Sequence, residues 1–303
     1  MKRARMRPVV RKTSTRGAAL MLVLWILVLL TALIVAFALS SRVEGLQGRS
    51  LRHATVGRYL GEAGVEVAAL HLSTGDSSLR WVPDGREYNF EFERQKVSVR
   101  VRDEGAKVDL NAADMVLMGK LFELQGMDKL QADRLAAAIV DWRDPDDLLA
   151  SDVGAEDRQY ESAGLPYGAK DRPFETLSEL RQVLGMDPAL YDKLAPHLTV
   201  FTGQARPDPG FASPMVLAAM GYNDVDVGLI QSLRQAWQPN LPPPALPGGI
   251  TLAAQGSGTY DISSRTTRSD GSTVEVTATV RIGASGAFGR LYTPLSWRVG
   301  DPD

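Results

Sequence analysis

The sequence contains no cysteine, so no disulfide can staple its loops and packing, assembly or a bound ion must hold them. It contains only three histidines, His53, His71 and His197, and no two stand at zinc-site spacing. No Gly-x-Ser-x-Gly elbow occurs either, so neither metal-hydrolase nor serine-hydrolase chemistry has a starting point, and the chain reads as a non-enzyme. Acidic residues are missing from the first seventeen positions, where Lys2, Arg3, Arg5, Arg7, Arg11, Lys12 and Arg16 stand unopposed. Setting those seven cations aside leaves 27 Lys and Arg against 36 Asp and Glu, a charge of about −9 for the remainder. That balance disfavours nucleic acid and anionic lipid as partners of the larger part.

A long apolar run follows the basic leader. From Ala18 to Leu39 the only polar side chain is Thr31, and at 1.5 Å per residue the run spans roughly 33 Å of helix, enough to cross a bilayer. It exceeds a secretory signal core and lacks a small-x-small cleavage site after it, so it is read as retained. The basic flank places its start in the cytoplasm and the bulk of the chain on the far side of the membrane.

Residues 43–72 keep a helical pattern, which glycines at 45, 48, 57, 61 and 64 loosen in the middle. "YNFEFERQKVSVRV", from Tyr88, alternates as a hairpin turning around Glu93 to Gln95, and "DEGAKVDLNAAD" closes it. A helical region, 112–238, then contains two helix, Gly-Met-Asp turn, helix units and a fainter third copy in which "AADMVLMGKL" recurs as "ASPMVLAAMG". The Pro-rich 239–249 reads as a linker, "TYDISSRTTRSDGSTVEVTATVRI" as a second hairpin turning at Asp270-Gly271, and "YTPLSWRVG" as a last strand. Strands on both sides of a helical block imply one sheet interrupted by an insertion. The expected fold is α+β: a long N-terminal helix, a small antiparallel sheet and a large inserted helical subdomain.

The Gly-Met-Asp turns first suggest helix-hairpin-helix DNA binding, but Asp128 and Asp187 put a carboxylate where a phosphate would sit, which excludes it. The densest chemistry is "DWRDPDDLLASDVGAEDRQYE", with Asp141, Asp144, Asp146, Asp147, Asp152, Glu156, Asp157 and Glu161 against Arg143 and Arg158. Carboxylates so crowded are either solvated or bridged by a hard cation such as Ca²⁺, and the spacing, which is not that of an EF-hand, leaves both open.

Together "RGAALMLVLWILVLL", "DEGAKVDLNAAD", "DWRDPDD…GAED", "RPFETLSELRQVLGMDPALYDKLAPHLTV" and the closing "LSWR" resemble the pilin-like proteins, in particular the K-type minor pseudopilins of type II secretion systems. The resemblance implies cleavage by prepilin peptidase between Gly17 and Ala18, with methylation of the new N-terminus, so that residues 1–17 are leader and 18–39 anchor. It sets 40–111 and 250–303 as the pilin-like domain around the insertion. It implies Ca²⁺ in the acidic loop, with Asp144, Asp146, Glu156 and Asp157 as principal ligands and Asp152 and Glu161 as further candidates; Asp171 stands near a position where the family usually has Asn. Leu22 replaces the glutamate that most pilins carry at mature position five to meet a neighbouring subunit. A carboxylate in hydrocarbon costs about 2.5 to 3.5 kcal/mol without a partner, so Leu22 either simply improves membrane insertion or, as the resemblance implies, marks a subunit with no neighbour above it, at a filament tip. The partners so implied are other minor pseudopilins, the major pseudopilin shaft, prepilin peptidase and secreted cargo. A minor pilin of a type IV pilus would share the anchor and peptidase site, and a membrane-anchored periplasmic metal enzyme would share the acidic loop.

Overall fold

The structure, a computed structural model, describes residues 16–92, 95–252, 256–267, 271–283 and 291–300. Most of the leader and the hairpin turn residues 93, 94 and 270 lie outside the described residues. The chain forms two compact units, residues 1–56 and 57–303.

In the first unit, helix α1 (Arg16–Ser73) begins. Its stretch Ala18–Arg42 is long and apolar enough to cross a membrane, and none of its side chains is buried within the protein. Leu22 is among them, 62% exposed.

In the second unit, the end of α1 packs on one face of a five-stranded antiparallel sheet of order β1-β2-β5-β6-β7. The strands are β1 (Asp84–Phe92), β2 (Gln95–Asp103), β5 (Thr259–Thr267), β6 (Thr273–Ile282) and β7 (Tyr292–Gly300). β2 pairs with β5 across the insertion, Val99 opposite Ser264 and Val101 opposite Ile262. Alternation puts Val97, Val99, Val101, Ile262, Val276 and Val280 on the helix side, where Val65, Ala68 and Leu72 meet them. Each such side chain contributes about 1.5–3 kcal/mol when fully buried. The expected loosening by glycine is corrected at three positions. The helix is assigned without a break, and Gly57, Gly61 and Gly64 are contact points at which a Cβ would run into Val274, Val276 and Ser264. They let backbone approach sheet.

The insertion holds α2 (Met115–Leu124), α3 (Lys129–Arg143), α4 (Asp157–Ser162), α5 (Pro188–Leu194), α6 (Pro214–Ala219) and α7 (Asp224–Ala236). A short parallel pair, β3 (Val108–Asp109) with β4 (Leu198–Thr199), closes it. Its buried core includes Val108 and Leu110 before residue 112, and Leu246 and Leu252 after residue 238. Packing therefore extends beyond both expected boundaries, and the segment expected as a linker folds onto the block: Leu246 is 4% exposed and Ala245 bridges Thr251.

Three turns of one design repeat within it. Gly126, Gly185 and Gly221 take φ of +95°, +92° and +96°, the left-handed region that glycine enters without penalty. Asp128, Asp187 and Asn223, two residues on, cap α3, α5 and α7 by accepting from backbone N–H groups. The second copy differs from expectation in opening with a 3₁₀ segment, Leu177–Gln182, in place of an α-helix. The "DEGAKVDLNAAD" stretch proves to be a hydrogen-bond framework. Buried Asp109 accepts from the N–H groups of Asn111, Thr202 and Gly203, each at 2.8 Å. Asn111 exchanges two bonds with the backbone of Phe174, and Asp114 caps α2.

Candidate cation site

The acidic loop leaves the C-terminus of α3. Asp141, fully buried, accepts from Ala150 N and Ala155 N, each at 2.6 Å, and so ties the returning loop to the helix. A Cβ on Gly154 would collide with this carboxylate, so that position has to be glycine. Arg143 turns away from the acids and donates to the carbonyls of Leu110 and Ala113. The nearest cation in sequence therefore forms no ion pair with these carboxylates, although the charge of Asp144 acts on it.

Three chain segments bring carboxylates toward one another. Asp144 caps the end of α3; Glu156, 6% exposed, sits at the start of α4, its own N–H held by Gln159 Oε1 at 3.0 Å. The third segment is fastened by Asp157, whose Oδ1 accepts from Ala169 N at 3.1 Å; a Cβ on Gly168 would strike that oxygen. It delivers Asp171 in a left-handed conformation, φ +54°, which Asp and Asn tolerate better than other side chains.

One oxygen of each, Asp144 Oδ1, Glu156 Oε1 and Asp171 Oδ1, is buried without a hydrogen-bond partner. Burial, and then Asp141, Asp144, Asp171 and Asp147, push Glu156 up to about 7. Burial with Asp146 and Asp141 raises Asp144, and burial with Asp157 and Asp147 raises Asp171. Among the described residues no three acidic or imidazole groups form a ready-made ion cage. In donor chemistry alone the set suits a hard divalent cation: it is all oxygen, drawn from three segments, and one buried oxygen of each group has no hydrogen-bond partner.

Not every candidate converges. Asp146 is exposed and accepts from Leu148 N at 2.9 Å, while adding its charge beside Asp144. Asp152 is exposed on the wall of a different cavity, with Arg134 and Lys193. Glu161 is exposed on α4 and is absent from the charges acting on Asp144 and Glu156. Asp171, which was not among the expected ligands, joins the group in their place. Its signal in the sequence was the Asn-to-Asp departure, which keeps the turn and adds a charge. The pair Gly17 and Ala18, between which cleavage is expected, lies at the start of α1, with the surroundings of Gly17 outside the described residues.

Residues 98–203, which contain most of β2, the framework stretch and this loop, match the family profile "Type II secretion system (T2SS), protein K". The chain is 31% identical over 205 residues to the type II secretion system protein K of Klebsiella pneumoniae, covering 60% of this chain and 62% of that protein. Over these residues the chain is similar to the type II secretion system protein K family. The protein K of Pseudomonas aeruginosa is 29% identical over 150 residues, covering 46% of this chain and 44% of its own, and that of Aeromonas hydrophila 39% over 72 residues, covering 24% and 22%. The chain thus spans less than two thirds of the relatives' length. In fold it is similar to a chain of the GspK-GspI-GspJ complex of the enterotoxigenic Escherichia coli type 2 secretion system, at 18% identity and a TM-score of 0.57, covering 86% of this chain and all of that one. The pilin-like fold with an inserted helical domain is common to both.

Proposed function

We propose that this protein is a non-enzymatic minor pseudopilin of a type II secretion system, anchored by Ala18–Leu39 in the inner membrane with its larger unit in the periplasm. It joins other minor pseudopilins at the tip of the pseudopilus, starts assembly of the major shaft, and supports export of folded cargo. The observation that carries this reading is the protein K domain at 98–203 on a chain that also bears a membrane-length apolar helix. The solved relative, from a complex of GspK with GspI and GspJ, supports minor pseudopilins as partners. The bulk of the insertion favours a tip over a closely stacked shaft, as does Leu22. In this role Ca²⁺ binds at Asp144, Glu156 and Asp171, with Asp146 and Asp157 beside them, and supplies the positive charge that lets these carboxylates stay ionised and order the loop.

The test is co-expression of the full chain with the other minor pseudopilins and an active prepilin peptidase. Mass spectrometry should find a chain starting at Ala18, N-methylated, in a stoichiometric minor-pseudopilin complex, and Gly17→Val should leave precursor. An intact Met1 beside active peptidase, or distribution along the shaft at the abundance of a major subunit, would contradict the proposal.

A further inference from the structure

Buried polar atoms without a hydrogen-bond partner gather in one part of the insertion. Of the eight such side-chain atoms among the described residues, four belong to Asp144, Glu156, Asp171 and the indole Nε1 of Trp142. Trp142 is 3% exposed and stands in the last turn of α3, two residues before Asp144. Trp237, equally buried in the same core, differs: its Nε1 donates to the carbonyl of Leu241 at 3.2 Å. A buried N–H left open beside three open carboxylate oxygens marks Trp142 as part of an unfinished polar site.

The three carboxylate-bearing segments all meet this residue. The first is its own helix end. The second is α4, where the ring of Tyr160 lies 6.0 Å from the indole, centroid to centroid. Tyr160 is fully buried, its N–H donates to the carbonyl of Glu156 at 3.3 Å, and its hydroxyl accepts from Leu184 N at 3.1 Å. Ring and carboxylate therefore share one turn. The third segment carries Asp171 and, three residues on, buried Phe174, whose ring lies 6.2 Å from the indole. Asn111 exchanges two hydrogen bonds with the backbone of Phe174, and Arg143, beside Trp142, donates to the carbonyls of Leu110 and Ala113 on either side of Asn111. One framework thus fixes both the end of α3 and the segment that delivers Asp171. Interiors packed at crystal density transmit a change of side-chain shape to their neighbours, and a large aromatic ring does so over the widest area.

We infer that Trp142 is a positioning residue of the cation site: its ring sets the spacing of Asp144, Glu156 and Asp171 by packing against the turn that carries Glu156 and the segment that carries Asp171. It acts through the three carboxylates, as residues behind metal ligands do when they fix ligand orientation. The inference rests on the cation reading of the acidic loop and adds to it what holds the ligands in place.

The test is calcium titration of the full chain in detergent micelles by calorimetry, held well below melting, with Trp142→Phe, Phe174→Leu and Trp237→Phe beside wild type. Trp142→Phe keeps every carboxylate and should bind calcium about tenfold more weakly. Phe174→Leu should weaken binding in the same direction by less. Trp237→Phe, a matching change outside the three segments, should lower the melting temperature and leave calcium affinity at the wild-type value, which separates positioning from a general loss of core. Should Trp142→Phe not fold, Phe174→Leu against Trp237→Phe decides. An unchanged affinity in the folded Trp142 or Phe174 variant, or an equal loss in Trp237→Phe, would overturn the positioning role and leave the cation site standing. No calcium heat in wild type would overturn the site and this inference together.

Discussion

The sheet and the acidic loop treat their carboxylates in opposite ways. On the sheet, Glu87 meets Arg100 at 2.6 Å, and Glu275 meets Arg265 at 2.9 Å as well as Ser263. Hydrogen bonds from Ser98, then Asn89 and Arg100, hold Glu87 below the usual carboxylate range. For Glu275, burial pulls upward, but hydrogen bonds from Ser263 and Arg265 outweigh it and the net shift is down. In the loop, Asp144, Glu156 and Asp171 make no ion pair among the described residues and are all pushed up, with Arg172 offsetting only part of the rise at Asp171. One protein thus pairs acids with arginine on the sheet, and leaves them without an ion pair where three segments converge. On the proposed reading, this difference is what a loop that takes its positive charge from a bound cation would show.

The comparison breaks most visibly at Asp141. Asp141→Ala would leave Ala150 N and Ala155 N without their acceptor, each buried unpaired group costing about 1–3 kcal/mol. Calorimetric melting should show a loss of roughly 3 kcal/mol and protease cleavage within residues 145–155; a loss under about 1 kcal/mol would mean that the clasp does not hold the loop.

Asp103 sharpens the contrast from a third environment, buried with hydrogen bonds but no cation. Burial, partly offset by Ser257 and Gly105, raises it to about 6. Because the folded state holds this proton more tightly, its stabilising contribution is fully present below about 4 and is lost as pH rises through about 6. Between pH 4 and 6.5 wild type should therefore lose about 2 to 3 kcal/mol relative to Asp103→Asn, as read from denaturant midpoints. A flat difference would show that Asp103 is not buried as a lone acid. At the other extreme, Glu87→Gln removes one exposed pair and should change stability by less than about 1 kcal/mol at any calcium concentration.

Much of this was legible in the sequence because it depends on period and composition. Alternation found β5, β6 and β7, and the run Ala18–Leu39 announced its own environment. Charge crowding found the loop, and the split hairpins found the insertion. What was not legible depends on contacts between distant positions. Gly57, Gly61 and Gly64 look like helix weakeners until Val274, Val276 and Ser264 are seen against them. The prolines of 239–249 look like a linker until Leu246 is seen in the core. Asp152 and Glu161 share the loop's sequence but not its interior. Asp171 enters only through the Asp157–Ala169 bond and a left-handed backbone. Local crowding located the acids, and the tertiary path decided which of them face inward.

The most direct test is calcium titration of the full chain by calorimetry, with wild type beside Glu156→Gln. A ligand that binds only the folded protein stabilises it by RT ln(1 + [L]/Kd), about 2.7 kcal/mol at a hundredfold excess over Kd. Calcium should therefore release binding heat and raise the melting temperature of wild type, chelator should reverse the rise, and magnesium, which demands a stricter octahedral site, should replace calcium poorly. Glu156→Gln should melt higher than wild type without calcium, since it removes a buried like charge, and should gain almost nothing from the ion. No calcium heat in wild type, with melting unchanged by chelator, would contradict the claim that these carboxylates await an external cation.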